Sequence, residues 1–377
     1  MIRTFVPFLL GVLLMTATGP AQAEELQIFV SAFASGKDAA IQGYRFDTER
    51  GVLTPTARTA EIQNPFFLAL SPDRKKLYSI HVPGQFGGGE NEQIAAFSIV
   101  GENGELKLLN HQTSLGTASC YLAVDQTGKS LVVANYSSGS VASLPLKADG
   151  SMEKAATFVQ HVGSSVIPER QSGPHAHCAV ISPDNKYMYA ADLGIDKIMI
   201  YKLDATKGTL TPNAQPFVRT PPKAGPRHLT FHPNGKMLYV INELANTVTH
   251  FDYLADSGML IERETISTVP ADFQGTSHTA DLKITPDGKF LYGTNRGHDS
   301  IASYRIADDG KLTLLAIDDS LGKGPQNLAI TPDGKWLLCA NMPGNNVAVF
   351  RIDPATGSIK AEGKPVSLPG PSCIMIR

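Results

Sequence analysis

An internal repeat runs through most of the chain and limits what it can fold into. Each copy has a short apolar segment, a turn similar to Pro-Asp-Gly-Lys, and a second apolar segment that ends at Asn, Asp or His. Apolar runs on both sides of such a turn predict a β-hairpin. Six copies begin at Asn64, Ala118, Ala176, Gly225, Ser277 and Gly324.

Further strands follow most of the hairpins. A third apolar segment, such as residues 300–306, is often followed by a fourth after a glycine-led turn, such as residues 310–317. Four short strands in each period of about 40–50 residues predict a β-propeller blade. A helical solenoid is the main alternative, but helical periodicity is absent and the turns favour hairpins.

The two ends of the chain predict how the ring closes. Residues 370–377 resemble one more first strand, whereas the segment after residue 24 supplies later strands and lacks a first one. Joining them completes a seventh blade and removes the exposed sheet edges. We therefore predict an all-β fold, a seven-bladed β-propeller with four-stranded blades, as one domain over residues 24–377.

The first 23 residues predict a signal peptide. Arg3 precedes an apolar run from Phe5 to Met15, and Ala21-Gln22-Ala23 forms a small-x-small cleavage site. The run is shorter than the ~20 residues that a membrane-spanning helix needs. We predict export to the periplasm and no membrane span after the signal is removed.

Composition excludes some classes of function. The chain has 33 Lys and Arg residues against 35 Asp and Glu, a net charge of -2, so a basic surface for nucleic acid is not indicated. The four cysteines lack metal-ligand spacing, and each lies in an apolar run, which predicts buried free thiols. HExxH, EF-hand, phosphate-loop, dinucleotide and GxSxG motifs are all absent from the sequence. Residues 83–93 are glycine-rich but are interpreted as a blade loop, and we expect no metal or cofactor.

Equivalent positions in the repeat form rings around the central channel, because the first strand of each blade lines it. Aligning on the residue seven before the turn proline gives the anchors Pro65, Ala118, Ala176, Pro226, Thr279, Pro325 and Pro371. The next residues then form a ring of Phe66, Ser119, His177, Arg227, Ala280, Gln326 and Ser372. His175, two residues before His177, projects to the same side of an extended segment.

A second ring follows the end of each second strand. It carries Glu243 and Arg296 in adjacent blades, next to a recurrent Asn that is interpreted as a turn cap. Each charged residue alone fits a solvated rim, and His175 alone fits a hydrogen bond to a neighbouring blade. Their matching positions in three consecutive blades favour a joint site of His177, Arg227, Glu243 and Arg296. The sequence leaves open which side His228 and His278 face; His175, His228 and Gln326 are candidate substrate-binding residues.

These segments resemble the seven-bladed propeller lactonases, a family that includes 6-phosphogluconolactonase and carboxymuconate cyclase. The resemblance covers the mature chain and is most specific at residues 174–201, 225–248 and 280–301. It implies an active site at His177 (or His175), Arg227, Glu243 and Arg296. The phosphogluconolactonase of this family acts on phosphosugars in the cytosol, whereas this chain carries a predicted export signal. In this respect the chain is more similar to periplasmic gluconolactonase.

The resemblance implies a small-molecule substrate, and our hypothesis is hydrolysis of an unphosphorylated sugar lactone, glucono-δ-lactone, to gluconate. Arg227 and Arg296 would stabilise the carbonyl oxygen, Glu243 would act as general base, and His177 would orient the water or protonate the ring hydroxyl. The alternatives are a carboxymuconate-type cyclase, a 6-phosphogluconolactonase, or a propeller that only binds a partner.

Overall fold

The structure is a computed structural model that describes residues 1–2, 25–60, 62–82 and 92–377. The predicted signal peptide and most of the glycine-rich segment 83–93 lie outside the described residues. Both therefore stay predictions.

Within the described residues, twenty-nine strands form seven antiparallel sheets. The N-terminal strands are β1 (Glu25–Ala32), β2 (Ala40–Asp47) and β3 (Val52–Ala60). Blade 1 consists of β4 (Pro65–Leu70), β5 (Lys76–His81), β6 (Gln93–Val100) and β7 (Glu105–Thr113). Blade 2 consists of β8 (Ser119–Val124), β9 (Ser130–Asn135), β10 (Ser140–Pro145) and β11 (Thr157–Gln160). Blade 3 consists of β12 (Ala176–Ile181), β13 (Tyr187–Asp192), β14 (Lys197–Asp204) and β15 (Thr209–Arg219).

The remaining blades follow the same order. Blade 4 consists of β16 (Pro226–Phe231), β17 (Met237–Asn242), β18 (Thr247–Leu254) and β19 (Met259–Ser267). Blade 5 consists of β20 (His278–Ile284), β21 (Phe290–Arg296), β22 (Ser300–Ile306) and β23 (Leu312–Asp319). Blade 6 consists of β24 (Pro325–Ile330), β25 (Trp336–Asn341), β26 (Asn346–Ile352), β27 (Ile359–Ala361) and β28 (Val366–Ser367). The helices described are α1 (Pro168–Gln171) and two 3₁₀ turns, Gly36–Asp38 and Leu193–Ile195.

The last strand closes the ring as the sequence predicts. β29 (Pro371–Ile376) pairs with β1, and the sheet order β29-β1-β2-β3 makes blade 7 from both ends of the chain. The indole Nε1 of Trp336 in blade 6 donates to the carbonyl oxygen of Thr48 in blade 7, at 2.8 Å. The first strands contact one another in succession around the channel, β29 next to β4. The seven-bladed β-propeller is confirmed.

Buried tyrosines join neighbouring blades. A tyrosine on a second strand donates its hydroxyl hydrogen to the carbonyl oxygen of a glycine in the next blade, which is a glycine of the turn before the fourth strand. Those glycines have positive φ, a conformation that glycine adopts without steric cost. The pairs are Tyr78 with Gly150, Tyr189 with Gly258, Tyr239 with Gly310 and Tyr292 with Gly357.

The recurrent Asn at the end of the second strand fastens two segments. Nδ2 of Asn295, for example, donates to Oγ of Ser300 at the start of the third strand and to the carbonyl oxygen of Thr268 in the preceding linker. Its turn-capping role is confirmed at this position, and the same side chain also ties the end of the second strand to the linker that precedes the blade.

The four cysteines are buried and free, as predicted. In the described part of the chain, no helix has the length and apolar character needed to cross a membrane.

Candidate active site

A β-bulge near the start of the first strand turns the predicted ring residues into the channel. In β12, Ala176 pairs with Asp192 and Cys178 with Ala191, so His177 is the extra residue. The register of β16 shifts in the same way at Arg227. A bulge re-aims a side chain that regular alternation would direct elsewhere.

The bulge also corrects the alignment of blade 2. Ser119, not Ala118, pairs with Asn135, in the way that Ala176 pairs with Asp192. The prediction that Ser119 is the ring equivalent of His177 was therefore wrong by one residue. The equivalent is Cys120.

Three arginines share the carboxylate of Glu243. Oε1 accepts from Nη2 of Arg170 at 2.5 Å, and Oε2 accepts from Nε of Arg227 at 3.0 Å and from Nη2 of Arg296 at 2.8 Å. The structure thus brings Arg227, Glu243 and Arg296 together from blades 4 and 5. Arg170 was not a candidate from the sequence, because its linker lies outside the repeat.

Arg227 is held from three sides beneath the carboxylate. Its Nη1 donates to the carbonyl oxygen of Ala280 and lies 3.1 Å from Nε2 of His228. Nδ1 of His228 lies 2.8 Å from Oδ1 of Asp281, whose second oxygen accepts from Nζ of Lys283. His228 therefore faces inward but is buried against Arg227, which places it to position that arginine.

Arg296 keeps more contact with solvent than Arg227 does. The side chain of Arg296 is 27% exposed and that of Arg227 is 2% exposed. Nη1 of Arg296 lies 3.4 Å from Oε1 of Gln326, and its Nε donates to the carbonyl oxygen of His278. Arg296 is the more accessible of the two predicted arginines, and Gln326 borders it.

His177 lies beside this cluster. Its Nδ1 is 3.6 Å from Sγ of Cys120, and its ring contacts those of Tyr136 and His228 at centroid distances of 5.3 and 5.4 Å. Within the described residues, Nε2 has no hydrogen-bond partner. Burial and the charge of Arg227 lower the pKa of His177 well below its ordinary value, so the imidazole is neutral at neutral pH.

His175 occupies a different environment. Its ring stacks on Tyr136 at 4.6 Å, and its Nδ1 lies 3.0 Å from the backbone oxygen of the same tyrosine in blade 2. The hydrogen bond to a neighbouring blade is therefore present, and His177 is the histidine in direct contact with the buried cluster.

The charges in the cluster do not balance. Burial by itself would raise the pKa of Glu243, but Arg296 and Arg227 lower it well below its usual range. Burial and Arg296 lower the pKa of Arg227 to about 10, so this arginine stays charged at neutral pH. Three guanidinium groups around one ionised carboxylate leave a net positive site, which can bind an anion or stabilise a developing oxyanion.

No group of three or more His, Cys, Asp or Glu side chains is arranged to hold a metal among the residues that the structure describes.

Comparison with known proteins comes from sequence and from structure. The sequence profile described as "Lactonase, 7-bladed beta-propeller" matches residues 27–376. A 6-phosphogluconolactonase of Bacillus subtilis is 34% identical over 347 residues, 92% of this chain and 97% of that protein. One of Formosa agariphila is 34% identical over 313 residues, 80% and 85% of the two chains. A solved periplasmic gluconolactonase of Pseudomonas aeruginosa superposes with a TM-score of 0.88 at 31% identity, over 94% and 99% of the two chains.

Proposed function

The chain belongs to the seven-bladed β-propeller lactonase family, as its sequence predicted, and from that membership we propose that it is an exported hydrolase of an unphosphorylated sugar lactone. Glucono-δ-lactone is the proposed substrate and gluconate the product. The observation that supports hydrolysis most directly is the cluster of three arginines around Glu243 with a neutral histidine beside it. Export is supported by the predicted signal peptide and by the name of the Pseudomonas relative.

His177 is the proposed general base. A general base needs an available lone pair and a deprotonated form at the working pH. The imidazole of His177 is neutral at neutral pH, and its Nε2 has no hydrogen-bond partner within the described residues, so it offers a lone pair when Nδ1 carries the hydrogen. Glu243, which the sequence suggested as the base, has both carboxylate oxygens engaged by guanidinium groups and is therefore less able to accept a proton.

The reaction then proceeds in two steps. Water loses a proton to Nε2 of His177 and attacks the lactone carbonyl carbon, and the carbonyl oxygen becomes an oxyanion stabilised by Arg296. Collapse of this intermediate breaks the bond from the carbonyl carbon to the ring oxygen, and the departing alkoxide takes the proton from His177. The product acid ionises to the aldonate, and Glu243 serves to hold the arginines in place.

Hydrolysis of a phosphorylated lactone is the second candidate. The net positive charge of the cluster favours an anionic substrate, and the Bacillus and Formosa relatives are named 6-phosphogluconolactonases. The predicted export argues against it, because phosphosugars are cytosolic metabolites.

The test compares the two lactones directly. Protein comprising residues 24–377 is assayed with glucono-δ-lactone and with its 6-phosphate, with and without chelator, and spontaneous hydrolysis is subtracted. A larger kcat/KM for the unphosphorylated lactone supports the proposal, and a larger value for the phosphate supports the second candidate. Acceleration of neither overturns both, and a muconate substrate would be assayed next.

A further inference from the structure

The linker over residues 161–175 delivers Arg170 to the site from outside the repeat. It joins β11 of blade 2 to β12 of blade 3 and contains α1. The corresponding linkers over residues 114–118, 220–225 and 320–324 are much shorter, and the linker over residues 268–277 is of intermediate length. The linker before blade 3 is thus longer than these four, and it ends two residues before His177.

This linker is fastened by a buried polar side chain. Gln171 is fully buried; its Nε2 donates to the carbonyl oxygen of Leu193 at 2.9 Å and to Oδ1 of Asp196 at 2.8 Å. Its Oε1 accepts from the backbone N–H of Ile167 at 3.1 Å, and Oγ of Ser165 donates to Oδ2 of Asp196 at 2.6 Å. Because both ends of the amide are satisfied, the residue next to Arg170 is fixed to blade 3.

Arg170 has hydrogen-bond donors to spare. Its Nη2 contacts Glu243 and lies 3.5 Å from the hydroxyl of Tyr136, while its Nε and Nη1 have no partner within the described residues. The side chain is 33% exposed, more than that of Arg296 or Arg227. Free guanidinium donors at a partly exposed position suit carboxylate and hydroxyl oxygens.

Arg170 satisfies the carboxylate of Glu243 with one nitrogen only. Its Nη2 donates to Oε1, whereas Arg227 and Arg296 share Oε2, and the third guanidinium gives the cluster a net positive charge. The bond to Glu243 explains Nη2, and ligand binding is the role that we infer for the remaining donors of this partly exposed cation.

We propose that Arg170 contacts the substrate and its aldonate product, and that Gln171 is a positioning residue that holds Arg170 over Glu243. The inference rests on the proposed function. Nε and Nη1 of Arg170 would bind oxygens of the lactone, and after hydrolysis the new carboxylate. Since a hydrogen bond to a charged group contributes about 1.5–3 kcal/mol, loss of Arg170 would weaken binding roughly tenfold to a hundredfold while the reacting groups stay in place.

The experiment measures hydrolysis and product binding in the same set of proteins. Arg170→Gln removes the charge, Arg170→Lys keeps it, and Gln171→Ala releases the linker from Asp196. Glu169→Gln, an exposed neighbour in α1, is the matched control. KM and kcat are measured for the lactone, gluconate affinity is measured by isothermal titration calorimetry, and thermal unfolding checks the fold.

We expect KM and the gluconate dissociation constant to rise at least about tenfold in Arg170→Gln. Gln171→Ala should raise both constants by a smaller factor, and Arg170→Lys should raise them less than Arg170→Gln does. In all three variants kcat should change less than KM.

Wild-type KM and gluconate affinity in a folded Arg170→Gln protein would overturn the inference and leave the proposed lactone hydrolysis intact. If the wild type binds gluconate through Arg170 but accelerates no lactone, the proposed function fails and the binding role stands. If the wild type neither binds gluconate nor hydrolyses lactone, both fail.

Discussion

The channel ring has a repeating backbone, but its charged half, formed by blades 3 to 5, differs in side-chain chemistry from blade 7. In blades 3 to 5 the residues at the start of the first strand and after the second include His177, Arg227 and Arg296. In blade 7 the matching position of the first strand holds Ser372, whose Oγ lies 2.9 Å from Oγ of Ser31 and 2.8 Å from the backbone oxygen of Phe66.

The repeat therefore fixes where a side chain lies and not what it does there. The Ser372 hydroxyl meets its hydrogen-bond needs within its own blade and blade 1. On the other side, Arg170 and Arg296 remain partly exposed around a shared carboxylate. We therefore expect substitutions in the charged half to lower the rate more than the matching substitutions in blade 7.

Replacing His177 should cause the largest loss. His177→Ala removes the proposed base, and such a group contributes about 10²–10⁴ to the rate, so kcat should fall by that factor. Ser372→Ala, at the matching position of blade 7, should keep kcat within about twofold, because no reacting group is removed. Initial rates of lactone hydrolysis measure both; equal losses would mean that the ring position is structural in both halves.

Replacing Glu243 should lower stability as well as activity. Glu243→Gln leaves the buried Arg227 without its anion, and breaking a buried pair in this way costs on the order of 3–5 kcal/mol. Glu25→Gln, which breaks an exposed pair with Arg45, should cost about 0–1 kcal/mol. Urea unfolding of both variants tests the contrast, and similar small losses would argue that the arginines are stabilised by groups other than Glu243.

Acid should weaken the fold through buried histidines on both sides of the ring. Burial and Arg227 lower the pKa of His228 to about 4, and burial with His111 lowers that of His81, in blade 1, to about 3. Between pH 7 and pH 5 the unfolded chain gains protons at these two histidines that the folded chain does not bind. The free energy of unfolding should therefore decrease as the pH is lowered from 7 to 5, by about 2 kcal/mol for each histidine.

Denaturant titrations at several pH values measure this loss. His228→Gln and His81→Gln should each remove about one proton from the pH dependence of unfolding. If only His228→Gln changes the slope, the acid sensitivity does not extend to blade 1, and the contribution expected of His81 is wrong.

The sequence predicted the blades well because turn proline and strand period recur together. It misplaced Cys120 by one residue because the turn of blade 2, residues 125–129, lacks the proline on which the copies were aligned. The side that His228 faces stayed open, since the bulge that re-aims the first strand leaves no mark in the hydrophobic pattern.

Three charged residues of the site could be predicted from the sequence, but the number of arginines that contact the Glu243 carboxylate could not. Matching ring positions brought out Arg227, Glu243 and Arg296, whereas Arg170 lies in a linker that the repeat alignment does not cover. The strength of Glu243 as a base depends on how many cations touch its carboxylate. That number follows from three-dimensional distances, and it is the reason that we propose His177 rather than Glu243 as the base.

The smallest predicted effect concerns the thiol behind His177. If Nδ1 of His177 carries the hydrogen, Sγ of Cys120 accepts it at 3.6 Å, and Nε2 is left unprotonated. Cys120→Ala removes this weak contact, worth about 1 kcal/mol, and kcat should fall roughly fivefold with KM unchanged. Cys120→Ser, whose hydroxyl can accept the same hydrogen, should recover part of the rate. Cys373→Ala, a buried thiol of blade 7 whose Sγ lies 3.9 Å from a backbone oxygen, should leave kcat unaltered. Equal small losses in the two alanine variants would reduce the role of Cys120 to packing, because Cys120 contacts the proposed base and Cys373 contacts a backbone oxygen instead.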